Sequence, residues 1–236
     1  MGYSTMTPLC RKIVAMPLIT FEGSEGCGKS TQVKRLATRL EKWGIRPAVL
    51  REPGGTAIGE AIRHLLQHSE DNHAMTPETE LLLFEASRRQ LVREKIQPAL
   101  RRAEWVICDR FFDSTTVYQG AARQLDLGLV KKLNAFAVGD CVPDLIFVLD
   151  IDRATAQSRL WNRKKIRDRM EEESDEFHEP VIRAYRELAE NEPRRVILTD
   201  GRISPDTIED QIWNTFAQGF PDLGKHQTPK TKLQTP

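Results

Sequence analysis

Eight residues near the beginning of the chain have the types and spacing that bind phosphate. Residues 23–30 read GSEGCGKS and match the P-loop pattern G-x-x-x-x-G-K-S. Glycines let such a backbone wrap closely around an anion, so that its N–H groups point at the phosphates. In this pattern the Lys29 ammonium reaches the terminal phosphates and the Ser30 hydroxyl ligates Mg²⁺. The motif predicts ATP and Mg²⁺ as ligands, and the expected ATP-binding residues are Gly23, Ser24, Glu25, Gly26, Cys27, Gly28, Lys29, Ser30 and Thr31.

The segments on both sides of this loop have the periodicity that a P-loop requires. The apolar residues 18–21 predict a strand, and residues 31–42 predict a helix because their apolar side chains recur at helical spacing. A helix that begins at the loop also directs its positive dipole end at the phosphates. An ordinary glycine-rich turn is the alternative, and it accounts for neither the flanking elements nor the Lys-Ser pair.

Strands and helices alternate along the rest of the chain, which predicts the α/β class. The interior of segment 144–149 is entirely apolar, as is typical of a parallel strand that is covered on both faces. We therefore expect a three-layer P-loop NTPase fold, with a parallel sheet of about five strands covered by helices on both faces. Further strands are predicted at 47–50, 105–108 and 195–198, and further helices at 57–67, 76–102, 114–137, 155–161, 171–190 and 205–216.

The two ends of the chain differ from this domain, which is expected at residues 16–218. Residues 1–15 lack the apolar core of a signal peptide, and Met16 stands directly before the first strand. We expect either that Met16 is a natural start or that residues 1–15 are a dispensable extension. Residues 219–236 are polar and contain three prolines, which predicts a disordered tail.

The composition argues against several kinds of partner. Against 34 Asp and Glu the chain carries 35 Lys and Arg, so its net charge is +1, which is unlike a nucleic-acid coat or a polybasic membrane anchor. No apolar run approaches the roughly 18 residues that span a bilayer. The four cysteines form no C-x-x-C pair, which fits reduced thiols. We expect a cytoplasmic protein with no nucleic-acid and no membrane partner.

Charged residues follow three predicted strands at the point where each strand ends. The first strand leads into the P-loop, the second ends at Arg51, and the third ends at Asp109 and Arg110. Ligands of open α/β sheets bind at the carboxyl ends of strands, so these side chains should share one site. Asp109 resembles a Walker B carboxylate that holds Mg²⁺. The two arginines predict a second phosphate opposite ATP, although a solvated loop is the alternative for either arginine alone.

A phosphate acceptor would simplify the chemistry of such a site. Its second pKa is about 6, so it is mostly ionised at neutral pH. It therefore needs alignment and charge neutralisation rather than a strong general base. The chain contains no H-R-D-type base motif, which fits this interpretation.

Together with further motifs in the same order, these residues make the chain similar to the bacterial thymidylate kinases over residues 18–216. The P-loop is shared by many NTPases, whereas the segments after it are more specific. The resemblance implies phosphoryl transfer from ATP to dTMP in dTTP synthesis, and a homodimer formed through helices. The segments that carry it are REPGGT at 51–56, F-x-x-x-R at 84–88, DRF at 109–111, ST at 114–115, YQG at 118–120 and DRME at 168–171.

The resemblance implies roles for side chains around the acceptor. Lys29, Arg51 and Arg110 would be catalytic, and the two arginines would hold the acceptor phosphate. Glu25 would accept a hydrogen bond from the deoxyribose 3′-hydroxyl, and Tyr118 would crowd the 2′ position. The other implied nucleoside contacts are Phe84 stacked on thymine, Arg88 bonded to the base, and Thr115 and Gln119 beside the nucleoside.

Phe84 and Arg88 also have alternative interpretations. The two residues are four positions apart and share one helix face. Without the resemblance, Phe84 is typical of a core aromatic, and Arg88, which precedes Arg89, is typical of a solvated basic face.

The resemblance leaves the position of one catalytic arginine open. Gly26 stands where eukaryotic-type enzymes carry this arginine, and bacterial-type enzymes place it in a mobile lid, here at about residues 159–170. Among the arginines of this segment we expect Arg163 to be catalytic, and Arg169 to serve either lid closure or ATP on the adenine side. Phe111 stands where the family has tyrosine or histidine, so any polar role of that residue is lost.

Two other functions remain as alternatives. One is a P-loop kinase for a different nucleoside monophosphate. The other is a non-catalytic nucleotide switch, which would be expected to carry a guanine-reading N-K-x-D motif. The chain contains no such motif.

Overall fold

The fold is built on a parallel sheet whose strands end at one edge. The computed structural model describes residues 17–163 and 167–221. Its strands run in the order β2-β3-β1-β4-β5, and every neighbouring pair is parallel. The strands are β1 (Leu18–Glu22), β2 (Ala48–Arg51), β3 (Val106–Asp109), β4 (Leu145–Asp150) and β5 (Val196–Asp200).

Helices connect the strands as the crossovers of a parallel sheet require. One π-helical turn covers Val92–Ile96, and a second covers Thr116–Ala122. A 3₁₀ turn covers Glu70–Ala74. The α-helices are α1 (Lys29–Lys42), α2 (Ala57–Gln67), α3 (Pro77–Leu91), α4 (Gln97–Arg101), α5 (Phe112–Thr115), α6 (Leu127–Val138), α7 (Arg153–Asn162), α8 (Asp175–Asn191) and α9 (Pro205–Gly219).

The sheet is covered on both faces. On one face Phe21 of β1 belongs to the same buried cluster as Phe216 of α9. On the other face Val106 of β3 packs with Leu91 of α3, and α8 buries Val181 beside β4. Every residue of β1 is buried, as expected for a central parallel strand. The predicted three-layer α/β fold is therefore confirmed.

The register brings the ends of the three functional strands level. Phe21 of β1 and Arg51 of β2 both pair with Asp109 of β3. The segments that follow Glu22, Arg51 and Asp109 therefore leave the same edge of the sheet. This alignment positions the P-loop and the two strand-end arginines around one space.

Two predicted helices differ from the structure by more than a turn. The predicted helix at 114–137 is interrupted near Gln124, whose φ is 58°, and Asp126 then caps α6 by accepting the Leu129 N–H at 2.7 Å. The predicted helix at 171–190 begins at Asp175, because the Asp168 carboxylate accepts the N–H groups of residues 170 and 171 and folds them into a turn. Short polar side chains caused both differences, since they compete with helix hydrogen bonds.

The predictions for the two ends of the chain concern mostly residues outside the described ranges. Residues 1–16 and 222–236 lie outside the described ranges, and with them the predicted extension and most of the predicted tail. The last helix ends at Gly219, the first residue of that predicted tail. Within the described ranges, no helix combines the length and the apolar character needed to cross a membrane.

Candidate active site

The P-loop joins β1 to α1 through glycines that no other residue could replace without strain. Gly23, Gly26 and Gly28 have φ values of 132°, 75° and 100°. A Cβ atom on Gly23 would lie 2.5 Å from the carbonyl oxygen of Leu149. Lys29 begins α1, and its Nζ donates to the carbonyl oxygens of Gly23 at 2.9 Å and of residue 24 at 2.8 Å. The loop is therefore folded around its own lysine.

A cavity of about 480 Å³ opens at the ends of β1, β2 and β3. It is of the size that small-molecule sites have, and it lies where an open α/β sheet binds ligands. Most of the predicted site residues line it: Glu25, Gly26, Gly28, Lys29, Ser30, Thr31, Arg51, Phe84, Asp109, Arg110, Thr115, Tyr118, Gln119 and Arg163. Gly23, Ser24, Cys27, Arg88 and Arg169 are not among the lining residues.

Two side-chain oxygens that could ligate a metal ion meet on the wall of the cavity. The Ser30 hydroxyl donates to Asp109 Oδ2 at 2.5 Å. A hydroxyl and a carboxylate are the hard oxygen ligands that Mg²⁺ accepts, and Mg²⁺ sites commonly use one or two carboxylates together with substrate phosphates. The described residues contain no group of three or more metal-ligating His, Cys, Asp or Glu side chains. Any Mg²⁺ here would therefore depend on phosphate oxygens for further ligands.

Glu25 and Arg110 form a buried pair at the cavity. Arg110 Nη2 donates to Glu25 Oε1 at 2.7 Å, and the Tyr118 hydroxyl lies 2.8 Å from both Glu25 oxygens. Burial alone raises the pKa of Glu25, but the charges of Arg110 and Lys29 outweigh burial and hold that pKa below its ordinary value. Glu25 is therefore a carboxylate that can only accept hydrogen bonds.

Arg51 is held by a carboxylate from α2. Its Nη2 donates to both oxygens of Glu60, at 2.8 and 2.9 Å, and its Nη1 donates to the carbonyl oxygen of Pro53 at 3.0 Å. The Arg51 and Glu60 side chains are 47% and 45% exposed, so the pair is well solvated. A phosphate could displace this contact at little cost.

Arg88 lies behind the cavity wall and is 1% exposed, so the alternative of a solvated basic face is wrong. Its guanidinium donates to Glu52 at 2.8 Å, to Glu85 at 2.6 Å and to the Thr115 hydroxyl at 2.9 Å. Burial raises the pKa of Glu52 to about 7, an effect that the charge of Arg88 only partly offsets. Because Thr115 lines the cavity, Arg88 stands one hydrogen bond behind it.

The lid segment contains one arginine that lines the cavity while paired with a carboxylate. Arg163 Nη2 lies 2.6 Å from both oxygens of Glu171. Arg159 also lines the cavity, with its Nη1 at 3.5 Å from the carbonyl oxygen of Gly26. Arg169 instead donates to the carbonyl oxygen of Leu66 at 3.0 Å and pairs with a glutamate of α3. Residues 164–166 lie outside the described ranges.

Sequence reasoning missed some residues of the site. Arg63 of α2 lines the cavity, and its Nη1 donates to the carbonyl oxygen of Pro53 at 3.0 Å. Burial, followed by the charge of Arg51, lowers the pKa of Arg63. No motif singles Arg63 out, since it occurs in an ordinary amphipathic helix. Glu22 was missed as well, although a glutamate at the end of an apolar strand is itself a signal.

Comparison with known proteins relates the chain to one family. The family model described as "Thymidylate kinase" matches residues 21–212. A thymidylate kinase of Afipia carboxidovorans is 44% identical over 200 residues, which cover 84% of this chain and 87% of that protein. A thymidylate kinase of Syntrophotalea carbinolica is 44% identical over 207 residues, which cover 86% and 95%. The crystal structure of thymidylate kinase from Ehrlichia chaffeensis superposes with a TM-score of 0.69 at 31% identity, covering 86% of this chain and 99% of that one.

Proposed function

The chain belongs to the thymidylate kinase family and phosphorylates dTMP with ATP, and we propose that it does so in the cavity at the ends of β1, β2 and β3. The reaction yields ADP and dTDP and serves dTTP synthesis. One observation carries the assignment of the site. Lys29 of the P-loop and the strand-end arginines Arg51 and Arg110 line the same cavity, so a donor and an acceptor phosphate can meet between them.

The donor subsite is proposed at the P-loop and the start of α1. The backbone N–H groups of residues 23–31 would hold the ATP phosphates, and Lys29 would neutralise charge on the transferred phosphoryl group. Ser30 and Asp109 are the residues that would hold Mg²⁺, since their oxygens stand together on the cavity wall. When bound, Mg²⁺ would neutralise the charge that develops on the phosphate oxygens.

The acceptor subsite is proposed between Arg51 and Arg110. Arginine forks suit phosphate oxygens, and both guanidinium groups would exchange a carboxylate partner for the phosphate of dTMP. Arg63 contributes a third positive charge to this side of the cavity. The ionised dTMP phosphate is itself the nucleophile, so these residues need only align it and reduce its repulsion from ATP.

The nucleoside subsite is proposed beyond the acceptor phosphate. Phe84, half-buried on α3, would stack on thymine, and Thr115 and Gln119 would lie beside the nucleoside. Arg88 would reach the base from the wall behind Thr115. Glu25 would accept a hydrogen bond from the 3′-hydroxyl, while Tyr118 occupies the space that a 2′-hydroxyl would need. These contacts would favour a deoxynucleotide that carries thymine.

The lid is proposed to supply the catalytic cation. Arg163 lines the cavity, and its contact with Glu171 would break when the arginine swings to the phosphates. A cation that arrives on closure excludes water and stabilises charge in the transition state. Arg169, which points at α2 and α3, is proposed to secure the closed lid on the ATP side.

We propose an association and a location for this protein as well. Helices α3 and α6 pack together, and we propose that their exposed side chains form a homodimer interface. Large exposed apolar side chains, where they lie together, mark protein interfaces. The exposed apolar residues on the two helices are Leu82, Leu127, Leu129 and Phe136.

We also propose that the protein is cytoplasmic and binds no nucleic acid.

A coupled ADP-release assay tests the function directly. ATP would be supplied with a panel of deoxy- and ribonucleoside monophosphates, and dTMP should give the highest kcat/KM. If another monophosphate gave a higher kcat/KM than dTMP, that nucleotide would be the acceptor. Nucleotide binding without any ADP release across the panel would favour the switch instead.

A further inference from the structure

Glu22, the last residue of β1, is buried beside the site but has no place in the reaction described above. Its side chain is 0% exposed. Oε1 accepts the backbone N–H of Phe111 at 2.7 Å. Oε2 accepts the hydroxyls of Ser114 at 2.6 Å and of Tyr185 at 2.9 Å. Three donors therefore converge on one carboxylate behind Ser114, which lines the cavity.

The same two hydroxyls contact the acceptor arginine. Arg110 Nη1 donates to the Ser114 hydroxyl oxygen at 3.1 Å and lies 3.4 Å from that of Tyr185. A hydroxyl has one proton to donate and lone pairs that accept, whereas an ionised carboxylate can only accept. Burial raises the pKa of Glu22 to about 7. In its ionised form, Glu22 accepts both hydroxyl protons and leaves the oxygen lone pairs facing the guanidinium.

Glu22 also fixes the backbone that carries this arginine. Arg110 has a φ of 70°, a left-handed conformation that is uncommon for a residue with a side chain. The Arg110 N–H donates to Phe21 at 2.9 Å, and the next N–H along the chain is the one that Glu22 accepts. Strained conformations of this kind persist where surrounding contacts define them fully.

We propose that Glu22 is a positioning residue that aims the Arg110 guanidinium at the acceptor phosphate. It acts through the Ser114 and Tyr185 hydroxyls and through the peptide that follows Arg110. This inference rests on the proposed role of Arg110 in holding that phosphate. Removal of the carboxylate should therefore weaken the productive binding of dTMP and leave the ATP subsite unchanged.

The variant Glu22→Gln tests the direction of the hydrogen bonds without changing the size of the side chain. The amide nitrogen would donate to the hydroxyls and turn their protons toward Arg110. We expect the KM for dTMP to rise about tenfold, as when a charged hydrogen bond is lost, and the KM for ATP to stay within about twofold. Tyr185→Phe, which removes one of the two hydroxyls, should raise the KM for dTMP less.

Asp113→Asn is the matched control, because Asp113 is a buried carboxylate of α5 that pairs with Arg195 and not with Arg110. It should lower the melting temperature without raising the KM for dTMP relative to the KM for ATP. If Glu22→Gln behaved like this control, Glu22 would be structural only and the inference would be wrong. If Glu22→Gln did not fold, Tyr185→Phe would decide between the same two outcomes.

Arg110→Ala separates this inference from the proposed function. In the Arg110→Ala background, Glu22→Gln should add no further rise in the KM for dTMP, because the group that it aims is gone. A large rise with Arg110→Ala but none with Glu22→Gln would reject the positioning role alone. An unchanged KM with Arg110→Ala would reject the acceptor role of that arginine, and the inference with it.

Discussion

The hydroxyl of Ser30 lies 2.5 Å from Asp109 Oδ2, which joins the start of α1 to the end of β3. The two residues are 79 positions apart in the chain. Their contact brings together a P-loop ligand and a strand-end carboxylate on the wall of one cavity. The relationship predicts which residues the metal requirement of the reaction will depend on.

Asp109→Asn should raise the Mg²⁺ concentration needed for half-maximal activity. The substitution removes the charged oxygen of the pair, and disturbing a metal site costs about 10- to 100-fold in affinity. A Mg²⁺ titration at saturating ATP and dTMP measures the effect. Asp140→Asn, at an exposed position after α6, is the control and should titrate like the wild type. Equal Mg²⁺ dependence of both variants would exclude Asp109 as a ligand.

Lys29→Ala should lower kcat by about 100- to 1,000-fold, because a positioned charge on the transferred phosphoryl group is lost. Lys29 is 8% exposed and donates only to its own loop, so the rest of the fold should persist. Steady-state kinetics and far-UV circular dichroism measure the two effects. Lys42→Ala, at the exposed end of the same helix, should leave kcat unchanged. Turnover near the wild-type rate in Lys29→Ala would reject the P-loop assignment.

Arg51→Ala and Arg110→Ala should each lower kcat/KM for dTMP far more than they weaken ATP binding. Loss of a charged hydrogen bond in such a site costs on the order of 2–4 kcal/mol, or some tens to hundreds of fold. Kinetics with dTMP varied, and binding of ATP alone, separate the two subsites. Arg46→Ala, at an exposed position before β2, is the control. If ATP affinity collapsed while the dTMP dependence stayed the same, the donor and acceptor subsites would be reversed.

The sequence predicted those parts of the site that local motifs encode. The P-loop, Arg51 and Asp109 stand at the ends of apolar strands, and parallel pairing alone brings strand ends together. Arg63 could not be found in this way, because it enters the cavity only through the packing of α2. The partners of Arg88 lie 3 to 46 positions away in the chain, so its burial also depended on tertiary structure.

Glu52→Gln should make the stability of the protein depend less on pH. Burial raises the pKa of Glu52 from an ordinary value of 4.5 to about 7, with Glu85 beside it on the same guanidinium of Arg88. A carboxyl whose pKa is raised on folding stabilises the native state at low pH, and this stabilisation is lost as the pH rises through about 7. The loss is on the order of 3 kcal/mol at most.

Urea unfolding at about pH 5 and about pH 8 measures this effect. From about pH 5 to about pH 8, the free energy of unfolding of the wild type should fall by more than that of Glu52→Gln. Glu78→Gln, at an exposed position in the first turn of α3, should change in parallel with the wild type. If the free energy of unfolding of Glu52→Gln also changed in parallel with that of the wild type, Glu52 would be ionised at both pH values.

The lid should contain one dominant catalytic arginine, and Arg163 is the expected one. It lines the cavity, is 40% exposed and pairs there with Glu171 of the 168–171 turn. Glu171 is only 9% exposed, but the Arg163 side chain is open to the cavity, so a phosphate can reach the guanidinium and replace Glu171 as its partner. Arg163→Ala should therefore lower kcat by about 1,000-fold with little change in the binding of either substrate.

Single alanine variants of Arg159, Arg163, Arg167 and Arg169 test this assignment side by side. Arg169 is fixed to the backbone of Leu66, so its loss should loosen the lid and weaken ATP binding rather than lower kcat alone. An interaction that forms only in the transition state affects kcat most, which distinguishes the catalytic arginine from one that closes the lid. A sharp fall in kcat for Arg159→Ala instead would move the role to α7. Four mild and equal losses would show that the segment acts as a diffuse positive surface and that no single arginine is catalytic.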